Sequence, residues 1–482
     1  MMIKLVLMYR KGIILLTAYC IVLSVLSADP PGWTEDRRLV FLPGGGLDPR
    51  ADAWGDTVHL VWKQEYGHIE VYYKRSTDHG ETWSDDMRLS VEDEIRSIMP
   101  DIAVKGDTVV VVWFEQQTGL LEYRRSIDGG MSWLQIDTLE CPFSLTFPSV
   151  DFVKDTVYLT MGGYTGNYPV CFTKSTDGGA TWDTVRQIYN DHFQQPRISV
   201  SWPDVHIVFT ADDPDSGNTE VFYIGSHDGG RTWDEAMIIS HRDGIAGQIP
   251  FNTSWPGGTA VSWYDYKYSP YPWTGDIFVR RRNKFGQWSE IDSITTAHRA
   301  DWSDILAERT HLHVVWRDER HLPGYNTEIY YRESPDLGTT WYPEVRLTNA
   351  PYHSRTPSLA CGGNYLHLFW ADQRDNGNGG PSAIYYKRKD LSVTTPEDYQ
   401  ERPFGITISP NPSYGRVNIA FRLSEIPASV KIYDQLGRQL VNKEISRLGD
   451  HQIIWQTGRA GVYFIRLKTK TETITQKVVV LR

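Results

Sequence analysis

The chain has 482 residues with a formal net charge of -11, and it contains 18 Trp and 27 Tyr. This length accommodates one large domain and a small one. The acidic balance, without any lysine-rich or arginine-rich run, excludes the basic surface that a nucleic-acid binder or a membrane-surface protein needs. Abundant aromatic residues among 40 Gly and 26 Pro favour short strands joined by tight turns.

The first 28 residues have the layout of a secretory signal peptide. Three basic residues precede an apolar stretch over residues 12–26, and the small residues Ser27 and Ala28 follow it. The stretch is short for a membrane span, so an uncleaved anchor is the weaker alternative. Past this segment, three cysteines remain without metal-type spacing, which indicates buried free thiols, with a Cys141–Cys171 disulfide as the alternative.

One octapeptide pattern, S-x-D-x-G-x-T-W, recurs along most of the chain. A fixed period of about fifty residues is typical of a propeller or a solenoid. Each copy follows two runs of alternating or β-branched residues and precedes another short strand. A further strand begins upstream of the two runs, usually at a proline. Four strands per repeat favour the propeller. The copies are Ser76–Trp83, Ser126–Trp133, Ser175–Trp182, Ser226–Trp233, a weaker Ser334–Trp341 and a decayed Asn283–Trp288.

Counting the opening strands predicts an all-β, seven-bladed propeller, with six blades as the alternative. The seventh unit stops after its third strand, which ends in Tyr385-Tyr386-Lys387. Residues 33–39 match residues 83–89, the fourth-strand segment of the first unit. We therefore expect residues 33–39 to complete the last blade and close the ring, because closure removes exposed sheet edges.

The octapeptides resemble Asp boxes, the BNR repeats found in sialidases and in many unrelated propellers. The resemblance covers roughly residues 33–390 and implies the fold rather than a chemistry. Glycine supplies a positive φ in the hairpin, and the Asp and Ser/Thr oxygens bond the local backbone. We therefore exclude the repeat aspartates from catalytic roles: Asp78, Asp128, Asp177, Asp228 and Asp336.

The last part of the chain carries a second set of motifs. They resemble, in order, the C-terminal sorting domain of type IX secretion substrates: Ile408–Pro412, Val430–Asp434, Leu436–Arg438, Gly461–Phe464 and Lys477–Arg482. The resemblance implies that secretion machinery exports the protein to the outer surface or surroundings of a Gram-negative bacterium. The pattern itself predicts a β-sandwich of about seven short strands, and an accessory domain that stays attached is the alternative.

These observations divide the chain into four parts. We expect a signal peptide over residues 1–28, the propeller over 29–392, a linker over 393–404 and the sorting domain over 405–482. We expect a monomer.

Strand order predicts which face of the propeller carries a site. In a four-stranded meander the Asp-box hairpins point to one face, whereas the loops between second and third strands and the links between blades point to the other. Carboxyl groups transfer protons, guanidinium groups pair with carboxylates, and aromatic rings stack on sugars. The candidate catalytic residues are Asp265, Asp318, Glu319 and Asp372; the candidate ligand-binding residues are Arg96, Arg299, Arg320, Arg355, Arg374, Tyr264, Tyr268 and Trp273.

Two functions fit this face. The first is binding of an extracellular glycan or peptide, and the alternative is a glycoside hydrolase, possibly of exo-sialidase type. The Arg-Ile-Pro segment of sialidases has no match in the first blade, where the chain reads Leu47-Asp-Pro-Arg50. The pattern W-x-D-x-R occurs at one blade position in two repeats, which favours salt links to neighbouring blades over catalysis.

No cofactor and no metal site is predicted. The segment Asp212-Asp-Pro-Asp-Ser-Gly-Asn218 offers oxygen ligands for calcium as the weaker alternative, because Asp/Asn/Gly clusters usually form turns.

Overall fold

The computed structural model describes most of the chain between Pro30 and Leu481. The described residues are 30, 32–41, 44–141, 145–163, 169–190, 193–243, 245–268, 275–295, 297–320, 326–392, 406–409, 413, 415–423, 428–445, 449–470 and 473–481. The predicted signal peptide and linker lie outside them. Every regular element within these ranges is a β-strand, as predicted, and they contain no helix that could span a membrane.

The first 28 strands form seven antiparallel sheets of four strands, which we call blades 1–7. Blade 1 contains β2 (Leu47–Trp54), β3 (Thr57–Tyr66), β4 (His68–Ser76) and β5 (Met87–Arg88). Blade 2 contains β6 (Ser97–Lys105), β7 (Thr108–Glu115), β8 (Leu120–Ser126) and β9 (Asp137–Thr138). Blade 3 contains β10 (Leu145–Val153), β11 (Thr156–Gly163), β12 (Pro169–Ser175) and β13 (Arg186–Asn190).

The remaining blades repeat this order. Blade 4 contains β14 (Phe193–Ser201), β15 (Asp204–Asp212), β16 (Thr219–Ser226) and β17 (Met237–Ile238). Blade 5 contains β18 (Gly247–Trp255), β19 (Gly258–Asp265), β20 (Asp276–Asn283) and β21 (Asp292–Ser293). Blade 6 contains β22 (Ala300–Glu308), β23 (His311–Asp318), β24 (Glu328–Ser334) and β25 (Val345–Arg346). Blade 7 contains β26 (Ser354–Gly362), β27 (Tyr365–Asp372), β28 (Ala383–Asp390) and β1 (Arg37–Arg38).

The sheets close into a ring. Each first strand contacts the first strand of the next blade, and β26 of blade 7 contacts β2 of blade 1. The amino-terminal strand supplies the outer strand of blade 7, where Arg37 pairs with Tyr386 and Arg38 with Tyr385. Trp33 forms a further bridge to Lys389. The predicted completion of the last blade by residues 33–39 is confirmed.

Each first strand carries a β-bulge near its start. The bulged residue has a positive φ although it is not glycine, and the pairing with the second strand shifts register at this point. A bulge re-aims the side chains beside it. It lies at the end of the strand opposite the Asp-box hairpins, so it shapes the face on which the site was predicted. The bulged residues are Asp48, Met99, Phe147, Gln195, Ile249, Trp302 and Thr356.

The Asp-box hairpins are held by their own side chains, as predicted. In the first box, the Asp78 carboxylate accepts hydrogen bonds from the Ser76 hydroxyl at 2.7 Å and from the Thr82 amide at 2.8 Å. The Gly80 amide donates to Ser76 Oγ at 2.8 Å. These bonds recur around Asp128, Asp177, Asp228 and Asp336.

The box tryptophans join neighbouring blades. Trp133 meets Tyr73 of the preceding blade edge-on, with ring centroids 4.8 Å apart, and Trp233 meets Phe172 in the same way at 4.9 Å. Trp33, which stands at the box-tryptophan position of blade 7, contacts Tyr331 of blade 6 at 5.2 Å. Edge-to-face pairs of this kind add to the apolar area buried between blades.

The last seven strands form a β-sandwich, in agreement with the sequence pattern. One sheet contains β29 (Ile406–Ser409), β30 (Arg416–Leu423) and β33 (Gly449–Gln456). The other contains β31 (Ala428–Asp434), β32 (Gln439–Ile445), β34 (Gly461–Lys468) and β35 (Thr473–Val480). Both sheets contribute to one core, in which Val417 and Ile419 pack with Ile432 and Ile465.

Candidate functional site

The face opposite the Asp boxes is asymmetric. At the start of each blade, the second residue of the first strand lies close to a residue near the end of the second strand. Blades 2 and 3 place Ile98 opposite Phe114 and Thr146 opposite Gly162. The charged or tyrosine-bearing pairs lie instead in four consecutive blades of the ring: Gln248 with Tyr264, Asp301 with Arg317, Arg355 with Ala371, and Asp48 with Lys63.

The blade 6 pair is the centre of this group. Arg317 Nε donates to Asp301 Oδ1 at 2.6 Å, and Arg317 Nη2 donates to the other carboxylate oxygen. Asp301 is 4% exposed. Burial raises the pKa of its carboxyl group, while the adjacent Arg317 opposes that rise. The bidentate pair fixes the guanidinium in place, as expected of the planar fork.

Glu319 lies beside this pair and is only half-buried. Its carboxylate is 3.9 Å from Arg317 Nη2, and its amide donates to the Arg299 carbonyl at 2.9 Å. Burial raises the pKa of the Glu319 carboxyl group above its usual range; Arg317 and Arg299 pull the value down, and Asp301 pushes it up. Glu319 is thus a carboxyl group with access to solvent, and both positively and negatively charged side chains lie near it.

Blade 7 adds further basic groups next to Arg317. Burial lowers the pKa of His353, and the charges of Arg355 and Arg317 lower it further. Arg355 Nη2 donates to the Ser382 hydroxyl at 3.4 Å. The structure therefore places the predicted Arg299 beside the predicted Glu319, and the predicted Arg355 in the adjacent blade 7. We call Asp301, Arg317, Glu319, Arg299, His353 and Arg355 the mouth cluster.

Two other predicted carboxylates belong to structural networks. Asp318 accepts from Trp316 Nε1 at 3.0 Å and from both Nε and Nη2 of Arg320, at 2.9 and 2.6 Å. Arg320 also reaches Glu344 of the same blade. Asp318 has no exposed surface, so its lone pairs are committed inside the blade.

Blade 7 repeats this arrangement. Asp372 accepts from Trp370 Nε1 at 2.8 Å and from Arg374 at 2.9 and 2.7 Å. Arg374 then pairs with Asp36 of the amino-terminal strand at 2.7 Å. The predicted salt links of the W-x-D-x-R segments are present, but they lie within one blade and do not join neighbouring blades. The second carboxylate comes from the residue just before the fourth strand of the same sheet, Glu344 or Asp36.

Asp265 is also buried, with 0% exposure. One carboxylate oxygen accepts from the Lys267 amide at 2.9 Å. The other has no hydrogen-bond partner among the described residues and lies 3.8 Å from His241 Nδ1. A carboxylate buried in this way is kept out of contact with a ligand at the mouth cluster.

The predicted aromatic residues differ in their surroundings. Tyr264 is 6% exposed and donates to Gln248 Oε1 at 2.8 Å. Tyr268 packs near Phe278 and His298, with centroid distances of 6.1 and 6.2 Å. Trp273 lies outside the described residues. Tyr264 and Tyr268 thus fill space between elements of the ring.

The site residues predicted from the sequence did not include Arg317, and they included Arg96, which lies away from the mouth cluster. Arg317 lies between Trp316 and Asp318 in the first W-x-D-x-R segment. Asp318 and Arg320 of this segment were the predicted site residues, yet only Arg317 lies across from Asp301. Arg96 is exposed in the link before blade 2, on the candidate face but on a different part of the ring. Within the described ranges, no group of three or more His, Cys, Asp or Glu side chains is arranged to hold a metal ion.

Family comparison defines the carboxyl-terminal domain. Residues 407–481 match the model of the family described as "Secretion system C-terminal sorting domain". This segment is a sorting domain. The protein is therefore a type IX secretion substrate, exported to the cell surface or extracellular space of a Gram-negative bacterium. No curated protein matches the chain by sequence.

The chain is similar to several solved structures at low sequence identity. An ulvan lyase, a polysaccharide lyase solved with -[GlcA(1-4)Rha3S]-, has 9% identity and a TM-score of 0.51 over 74% of this chain and 96% of its own. A protein of unknown function from Dyadobacter fermentans has 14% identity and a TM-score of 0.47, over 75% and 100%. An α-L-arabinanase from Penicillium chrysogenum, complexed with arabinobiose, has 13% and 0.43, over 76% and 97%. The ulvan lyase likeness shows the fold alone.

Proposed function

We propose that the mouth cluster binds an extracellular glycan and does not cleave it. The observation that carries this proposal is the state of the four candidate catalytic carboxylates. Asp265, Asp318 and Asp372 are at most 1% exposed, and only Glu319 reaches solvent. Glycoside hydrolysis by the usual route needs two carboxyl groups on opposite sides of the scissile bond.

The chemistry of the cluster fits sugar hydroxyl groups. Arg317 is held rigidly by Asp301, and Glu319 presents an acceptor beside it. Fixed donors and acceptors placed side by side can each bond a different hydroxyl of a sugar ring, with little loss of side-chain entropy on binding. Export by the sorting domain brings this face into contact with glycans outside the cell.

A glycan array with the full mature chain tests the proposal, and Glu319→Gln is the informative variant. We expect selective retention of glycans and a loss of about tenfold in affinity in Glu319→Gln, because a hydrogen bond to a charged acceptor contributes about 1.5–3 kcal/mol. Glu235→Gln, an equal charge change at an exposed residue after the fourth Asp box, is the matched control and should bind as the parent does. Retention of peptides alone, or equal affinity in Glu319→Gln, would overturn the proposal.

One observation favours hydrolysis as the second candidate function. Burial raises the pKa of Glu319, and a raised pKa suits a general acid. Turnover of chromogenic glycosides that disappears in Glu319→Gln and persists in Glu235→Gln would replace the binding proposal with this one.

A further inference from the structure

We propose that the central channel of the propeller holds a small oxyanion between Arg50 and Arg197. Both arginines lie on first strands, β2 and β14, and each follows the proline after the bulge. First strands line the channel of a propeller. Both guanidinium groups lie against the ring of Phe251 on β18, with distances to the centroid of 5.0 Å for Arg50 and 4.6 Å for Arg197. One aromatic ring therefore brings two cations from distant blades together.

Among the described residues, these two guanidinium groups are held by fewer hydrogen bonds than other arginines of the ring. Arg197 Nε is buried and has no hydrogen-bond partner among the described residues. Arg50 has one long hydrogen bond, 3.4 Å to the Pro49 carbonyl. In contrast, Arg320 and Arg374 each form bidentate ion pairs. A buried donor without a partner is costly, so a ligand that accepts from both groups would be stabilised here.

The nearby carboxylates have other partners. Asp101, Asp304 and Asp48 act on Arg197 through their charges, and Asp48 pairs with Lys63 at 3.0 Å. However, Asp101 Oδ2 accepts from the Val150 amide at 3.0 Å, and Asp304 Oδ2 accepts from the Leu359 amide at 2.8 Å. These bonds tie neighbouring blades together. Burial and the charge of Arg50 lower the pKa of Arg197 to about 10, which is the effect expected when two like charges share a poorly solvated site.

The geometry selects the class of ligand. Guanidinium groups present planar forks that pair with carboxylate, sulfate or phosphate oxygens. The shared chemistry is thus an oxyanion, supplied either as a free ion or as the acidic substituent of a sugar. Binding of a free ion does not depend on the function proposed for the mouth cluster.

Calorimetric titration of the full mature chain in a buffer of weakly coordinating anions tests the site. The probes are sodium sulfate, sodium glucuronate and, as the neutral control, glucose. We expect at least one of the two anions to bind and glucose not to bind. Sulfate binding supports a free-ion site, and binding of glucuronate alone supports an acidic sugar.

Lysine variants locate the binding. Arg197→Lys and Arg50→Lys keep the charge but remove the fork, and each should weaken binding by about tenfold, as expected for a lost hydrogen bond to a charged group. Arg231→Lys, at an exposed arginine of the fourth Asp box on the opposite face, should leave it unchanged. Thermal denaturation confirms that each variant is folded. Absence of binding by both anions, or equal affinity in both channel variants, would overturn the proposal; Glu319→Gln should leave anion binding intact, which separates this site from the mouth cluster.

Discussion

Asp36 and Arg374 lie 338 residues apart in the chain, and their side chains form an ion pair of 2.7 Å in blade 7. The same carboxylate pairs with Lys387 at 2.8 Å, and the Lys387 side chain has 0% exposure. The amino-terminal strand is thus attached to the last blade by buried charge as well as by backbone hydrogen bonds.

Asp36→Ala should destabilise the propeller by about 3 kcal/mol, because removing one member of a buried ion pair leaves the other desolvated. Urea denaturation measures the free energy of unfolding. Glu35→Ala, at the exposed neighbouring position, is the control and should change stability little. Equal stability of the two variants would show that the closure does not depend on this carboxylate.

Gly130→Ala should destabilise the protein more than Gly67→Ala. Both glycines have a positive φ, +79° and +74°, so alanine costs about 1–2 kcal/mol at either site. A Cβ at Gly130 would also lie 1.9 Å from Tyr73 Oη of the preceding blade, whereas one at Gly67 meets nothing within 4 Å. The overlap adds about 1–3 kcal/mol. Chemical denaturation of the two variants compares the costs, and equal values would contradict the contact.

Stability should fall as the pH drops below about 6.5, the ordinary pKa of histidine. Four buried histidines donate to or accept from a tyrosine hydroxyl, and burial lowers their pKa values to about 3–4: His59, His206, His313 and His367. The unfolded chain therefore binds more protons than the folded chain between these values. Their contribution to stability is full above pH 6.5 and decreases below it.

Urea denaturation at pH 7.5 and pH 5 measures this dependence. The slope of the free energy of unfolding against pH should be smaller in His313→Asn by about 1.4 kcal/mol per pH unit, because one titrating group is missing. His227→Asn, at a side chain that is 50% exposed, is the control. A slope that His313→Asn leaves unchanged would mean that His313 titrates normally in the folded protein.

Truncation after Pro396 should leave the propeller folded and abolish export. Among the described residues, the core of the sandwich is formed by residues between Val417 and Val480, and the cores of the propeller by residues between Trp33 and Leu391. Immunoblots of cells and medium locate the protein, and circular dichroism with thermal melting reports its folding. An exported truncated chain would contradict the role of the sorting domain, and an unfolded one would contradict the independence of the propeller.

The repeat made most of the fold predictable. Glycine, Asp and Trp recur at fixed offsets because each performs a local task within one hairpin or against the adjacent blade. The match between residues 33–39 and residues 83–89 predicted the closure for the same reason. Local patterns suffice wherever the contact involves an equivalent position in every repeat.

The site was less predictable because its contacts depend on which side of a strand a residue faces. Trp316 and Asp318 are two positions apart and therefore point the same way, so that the buried carboxylate accepts from the indole N–H. Arg317 points to the other side and meets Asp301. Arg50 and Arg197 share no local motif, and only the ring brings both to Phe251.

The route by which the chain leaves the ring has a mechanical consequence. Strand β28, the last before the sorting domain, has β27 on one side and the amino-terminal strand β1 on the other. A force applied at the carboxyl-terminal end of β28 would thus act first on a strand that is paired along both edges. Strand β1, which closes the ring, thus also holds β28 in place against such a force.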